Sequence, residues 1–87
     1  MSVNVVKIKE QGGPEVMQWE KVDLPKPEPL QIKIKHTAVG LNYIDTYHRS
    51  GLYPLSTPSG LGMEGAGIVE EKGSEVSDLS VGDRVVY

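Results

Sequence analysis

The sequence predicts a mainly β domain with one short helix, and three observations carry that expectation. Of its 87 residues 38% are apolar, and eleven of these are valine, a residue that favours extended backbone. Ten glycines and six prolines are too many for a helical bundle and too few for a disordered chain. Apolar and polar side chains alternate with a period of two over several stretches, which is the strand period rather than the helical one.

Val3 to Lys9 reads as the first strand, with Asn4, Val6 and Ile8 on one face and Val5, Lys7 and Lys9 on the other. Gln11-Gly12-Gly13-Pro14 is a turn, because Gly-Gly allows positive φ and proline fixes the next residue. Met17 to Val22 follows as a second strand, with Met17, Trp19 and Lys21 sharing a face. Pro25, Pro27 and Pro29 cannot donate to a ladder, so they mark an extended connector. Leu30 to Val39 has the cleanest alternation: Leu30, Ile32, Ile34, His36 and Ala38 against Gln31, Lys33, Lys35 and Thr37. Asn42 to Ser50 is the one helical segment. Asn42 suits its N-cap, Asp45 its first turn and Gly51 its stop. At barely two turns it must be held by packing. Leu52 to Gly62 reads as a loop; Gly65 to Lys72 and Val81 to Tyr87 read as strands. The chain ends inside that last strand, which leads us to expect the front piece of a longer protein.

Charge and composition exclude several functions. Nine basic residues against twelve acidic ones leave a net charge of −3, which argues against a nucleic-acid backbone binder. Without cysteine there is neither a disulfide framework nor a thiolate metal site. The N-terminus lacks the apolar core of a signal peptide, and no apolar run is long enough to span a bilayer.

Few residue patterns suggest chemistry. Gly62 to Gly67 (GMEGAG) looks like a phosphate loop, but the third glycine of G-x-G-x-x-G is missing and the run leads into a strand. A tight turn and close backbone packing are the better reading. Neither His36 nor His48 has a second ligand at zinc spacing. His36 is expected to be a satisfied, partly buried histidine on a strand, and His48 to face solvent on the helix. The densest polar-aromatic cluster runs from Asn42 through Tyr43, Ile44, Asp45, Thr46 and Tyr47 to Arg49 and Tyr53. It reads either as a capped helix with packing aromatics or as the wall of a cleft, where tyrosine offers a flat face and an orienting hydroxyl.

Four segments give a more specific reading: GGPEV (Gly12–Val16), GLNYIDTYHRSGLYP (Gly40–Pro54), PSGLGMEGAGIVEEKGSEV (Pro58–Val76) and VGDRVVY (Val81–Tyr87). In this order they resemble the N-terminal part of the zinc-independent NADPH:quinone oxidoreductases, the zeta-crystallin-like branch of the medium-chain dehydrogenase/reductases. The resemblance implies a GroES-like, partly open β-barrel with one short helix, spanning residues 1–87 as the start of a catalytic domain. The family's Rossmann domain is absent from this chain. Zinc-dependent relatives carry a cysteine where this chain has Asn42 and a histidine where it has Met63, and neither replacement is a good zinc ligand. Aldehyde reduction places charge on one oxygen, where a Lewis acid helps. Quinone reduction spreads it over a ring, so a metal is dispensable.

By the same resemblance, Asn42, Tyr43, Ile44, Asp45, Thr46 and Tyr47 lie on the nicotinamide side of NADPH, and Tyr47 and Tyr53 wall the quinone pocket. Asp45 caps the helix, holds the loop or touches the cofactor, and Arg49 has either a pocket or a surface role. The resemblance further implies a cytoplasmic, homodimeric parent acting on a small-molecule quinone, with the 87-residue chain inactive alone. The alternatives are a medium-chain reductase of enones or enoyl thioesters, and a GroES-like module that binds without catalysis.

Overall fold

The computed structural model describes residues 2–87, which fall into two compact units. The first comprises residues 2–24 and 41–63, the second Pro25–Gly40 and Glu64–Tyr87. The fold is mainly β with one short helix. Its elements in chain order are β1 (Ser2–Ile8), a 3₁₀ turn (Pro14–Val16), β2 (Met17–Asp23), β3 (Ile32–Val39), α1 (Tyr43–Ser50), β4 (Ser59–Gly60), β5 (Gly65–Lys72) and β6 (Arg84–Val86).

In the first unit β1 is the middle strand of an antiparallel sheet ordered β2-β1-β4. A middle strand is covered along both edges, and Ile8, paired with both Met17 and Ser59, is fully buried. Burying such a side chain stabilises by about 1.5–3 kcal/mol. β2 is an edge strand. The face predicted for Met17, Trp19 and Lys21 is its outer one, and Trp19 is 77% exposed. The two-residue β4 arises within the stretch expected to be loop, where Ser59 and Gly60 pair with Ile8 and Lys7. Two residues give no periodicity to read.

In the second unit β5 is the middle strand of a sheet ordered β3-β5-β6. Its Gly65, Gly67 and Val69 are buried. Gly67 faces His36 in the pairing, and a Cβ there would collide with the Lys35 carbonyl oxygen. The GMEGAG run is thus a bend at Met63 leading into a closely packed strand start. The register of β3 against β5 slips twice, between Lys33 and Ile34 and between His36 and Ala38. The unpaired residues are Glu70 and Thr37, the extra residues of two β-bulges. Lys33 reaches Glu70 and Glu71 at 3.8 and 3.6 Å across the first, and the Thr37 hydroxyl donates to the Ala66 carbonyl at 3.3 Å across the second.

Two strand ends differ from expectation. Leu30 and Gln31 lie outside β3: the Gln31 N–H donates to the Glu28 carbonyl, closing a turn. Val81 to Asp83 also form a turn, with the Asp83 N–H on the Ser80 carbonyl and the Ser80 N–H on the Asp83 carboxylate. Tyr87 still exchanges both backbone hydrogen bonds with Gly65, at 2.9 and 3.2 Å. The expected burial of both histidines is also corrected. His36 is exposed, although its Nε2 is hydrogen-bonded to the Tyr87 hydroxyl at 2.9 Å. His48 is half-buried, packed edge-on against Tyr53. β3 loses cover beyond Ile34, and the helix turns its last turn inward.

Helix α1 stops where predicted. Gly51 has φ +97°, in the left-handed region, and its N–H donates to the Tyr47 carbonyl at 3.1 Å. Gly51→Ala is expected to destabilise by about 1–2 kcal/mol, since a Cβ is strained there. Gly60→Ala, where φ is not positive and the nearest contact of a new Cβ is 3.9 Å away, should stay near neutral. Denaturant titration of both variants in the full-length protein checks the pair.

Candidate active site

Helix α1 caps its own N-terminus. The Asp45 N–H donates to the Asn42 carbonyl at 3.0 Å, and the Asn42 N–H donates to Asp45 Oδ2 at 2.9 Å. This is the carboxylate that reaches back over a helix N-terminus, where the dipole favours negative charge. Asp45 is only 5% exposed. Of the three roles the sequence left open for it, the structure shows the cap.

Three of the last four carbonyls, those of Tyr47, His48 and Arg49, have partners as well. The Tyr47 carbonyl accepts from Gly51 and, at 3.3 Å, from Tyr53. The Arg49 carbonyl accepts the Gly12 N–H at 2.7 Å. The Gln11 side-chain amide donates to the His48 carbonyl at 2.9 Å and to the Tyr53 carbonyl at 2.8 Å. Helix ends otherwise leave such groups unpaired. Here the β1–β2 turn supplies the partners, so one glutamine fastens the helix and the Tyr53 loop together.

The predicted residues divide between the two faces of this helix. Asn42, Tyr43 and Thr46 are exposed, and Tyr43 is 81% so. The Thr46 hydroxyl donates to the Tyr43 carbonyl at 2.6 Å, which fixes its rotamer. Ile44, Tyr47, His48 and Arg49 are half-buried beside Asp45. Tyr47 and Tyr53 come together edge to face, ring centroids 5.3 Å apart, and Tyr53 meets His48 at 6.3 Å. The structure therefore joins the two tyrosines that the resemblance assigned to one pocket. Gln11, which positions Tyr53, carried no sequence signal: it stands in a Gly-Gly turn 37 and 42 residues away from its partners. In the second unit a cavity of about 330 Å³ opens at the sheet end that holds Gly40, Glu64, Val86 and Tyr87. It contains none of the predicted site residues.

Residues 28–87 match the alcohol dehydrogenase GroES-like domain. The chain belongs to this family. Among relatives of the GroES-like chain, a quinone oxidoreductase of Pseudomonas aeruginosa is 54% identical over 77 residues, covering 87% of this chain and 24% of the relative. A 2-haloacrylate reductase of a Burkholderia species is 44% identical over 82 residues, covering 90% and 25%. The crystal structure of Escherichia coli quinone oxidoreductase complexed with NADPH superposes with a TM-score of 0.92 at 48% identity, covering 98% of this chain and 26% of that one. The chain thus spans about a quarter of the length of the curated relatives it matches.

Proposed function

We propose that these residues form the N-terminal part of the catalytic domain of an NADPH-dependent quinone reductase that works without zinc. A nucleotide-binding domain, by this reading, lies outside the 87 residues, and the whole protein is a cytoplasmic homodimer. The observation that carries the proposal is the paired Tyr47 and Tyr53 beside the exposed helix edge of Asn42, Tyr43 and Thr46. It occurs in a chain more than half identical to a quinone oxidoreductase along most of its length.

The exposed edge fits a nicotinamide cofactor. Asn42 has an amide that both donates and accepts, the pattern a carboxamide and ribose edge require. Tyr43 and Thr46 extend the polar row, while Ile44 and Asp45 hold the helix that presents it. NADPH, when bound, supplies the hydride. Tyr47 and Tyr53 offer ring faces to a planar acceptor and hydroxyls to its carbonyl oxygens. Their rings also exclude water from the reacting atoms.

A second reading has its own support in the 2-haloacrylate reductase relative, which favours an activated alkene as acceptor. NADPH oxidation by the full-length protein, with 1,4-benzoquinone and with 2-chloroacrylate as alternative acceptors, separates the two. Turnover of the quinone is expected. Turnover of the acrylate alone overturns the first reading in favour of the second.

The zinc-independent part of the proposal rests on Asn42 and Met63, a neutral amide and a soft thioether where zinc needs charged or imidazole ligands. Metal analysis of the purified full-length protein is expected to find no stoichiometric zinc, and chelation is expected to leave activity intact. Stoichiometric zinc with activity lost on chelation refutes it.

A further inference from the structure

Two buried polar atoms on α1 have no hydrogen-bond partner: Asp45 Oδ1 and Arg49 Nε. They stand four residues apart on a helix, hence on neighbouring turns of one face. Asp45 is almost wholly buried and Arg49 is half-buried. Among the described residues no ion pair joins them directly or takes either one elsewhere. A buried carboxylate oxygen and a buried guanidinium N–H are each costly alone, more so for being charged. Opposite charges one turn apart and screened from solvent compensate each other.

We infer that Arg49 and Asp45 act as one charge-compensated couple, and that Arg49 is a positioning residue for Asn42. The path is short. Arg49 steadies the Asp45 carboxylate, and the other oxygen of that carboxylate holds the Asn42 N–H at 2.9 Å. The Asn42 backbone sets where its amide side chain emerges. The arginine is itself held from behind, because its carbonyl receives the Gly12 N–H. The consequence for cofactor affinity rests on the proposed role of Asn42; the coupling itself does not.

The test uses the full-length protein with Asp45→Asn, which keeps the shape, Arg49→Met, which keeps the stem, and the double variant. Amide hydrogen exchange at Asn42 is read against that at Gly51, whose N–H caps the other end of the same helix. Each single variant is expected to speed Asn42 exchange about tenfold, and the double variant also only about tenfold, since coupled residues are not additive. Gly51 exchange should stay within about twofold, as expected for a readout outside the couple. NADPH affinity should fall in parallel with Asn42 protection. Multiplying effects in the double variant, unchanged Asn42 exchange in Arg49→Met, or equal loosening at Asn42 and Gly51 each overturn the inference. If the exchange pattern holds but the parental protein binds no NADPH, the functional reading falls and the couple stands.

Discussion

Replacing Tyr53 by alanine in the full-length protein is expected to lower kcat/KM for a small aromatic quinone by roughly 5- to 150-fold, and Tyr47→Ala by a comparable factor. Removing either ring deletes a stacking face and a hydroxyl together. The two rings also lean on each other, centroids 5.3 Å apart, so loss of either loosens its neighbour. The split between constants distinguishes their roles. A tyrosine that only binds the acceptor raises KM and spares kcat; one that steadies charge developing on the quinone oxygen lowers kcat. Tyr53→Phe should leave NADPH affinity unchanged, whereas Asn42→Ala should weaken it. Steady-state kinetics with fluorescence titration of NADPH makes both measurements. Quinone kinetics within twofold of the parental enzyme in both alanine variants would reduce the tyrosines to packing residues.

Purified by itself, the 87-residue chain is expected to self-associate and to unfold over a broad temperature range. Only Ile8 and Val69 are buried hydrophobic residues among those described. Trp19, Leu30, Leu41, Tyr43 and Val86 are instead more than three-quarters exposed. A domain whose net stability is ordinarily 5–15 kcal/mol, on the order of 0.1 kcal/mol per residue, has little to lose from a core this thin. β2 and β6 are edge strands, each paired along one side, and open edges recruit other strands. Thermal melts at several concentrations, with light scattering, decide the matter. A sharp, monomeric, concentration-independent transition at high temperature refutes the expectation.

The legible parts of this fold were those written in neighbouring residues. Asn42, Asp45 and Gly51 announce both ends of α1, because caps act over three or four residues. The valine-rich alternation of β1 likewise places that strand. What depends on distant partners was not readable. The bulges at Thr37 and Glu70 answer the register of a facing strand, and β4 exists only because β1 has a free edge for it. The outward turn of Trp19 goes against its size, since hydrophobicity alone assigns a tryptophan to the core. At the site, the pairing of Tyr47 with Tyr53 followed from a family likeness rather than from spacing. The clamp made by Gln11 and the solitary atoms of Asp45 and Arg49 followed from neither.

The Gln11 clamp puts the Tyr47–Tyr53 pair under remote control. Its two donated hydrogen bonds fix the distance between the end of the helix and the loop that carries Tyr53. Lengthening, shortening or repolarising the β1–β2 turn therefore shifts the aromatic wall as a unit, with every residue on that wall unchanged. Under the proposed function, selectivity among acceptors is then set in part from that turn.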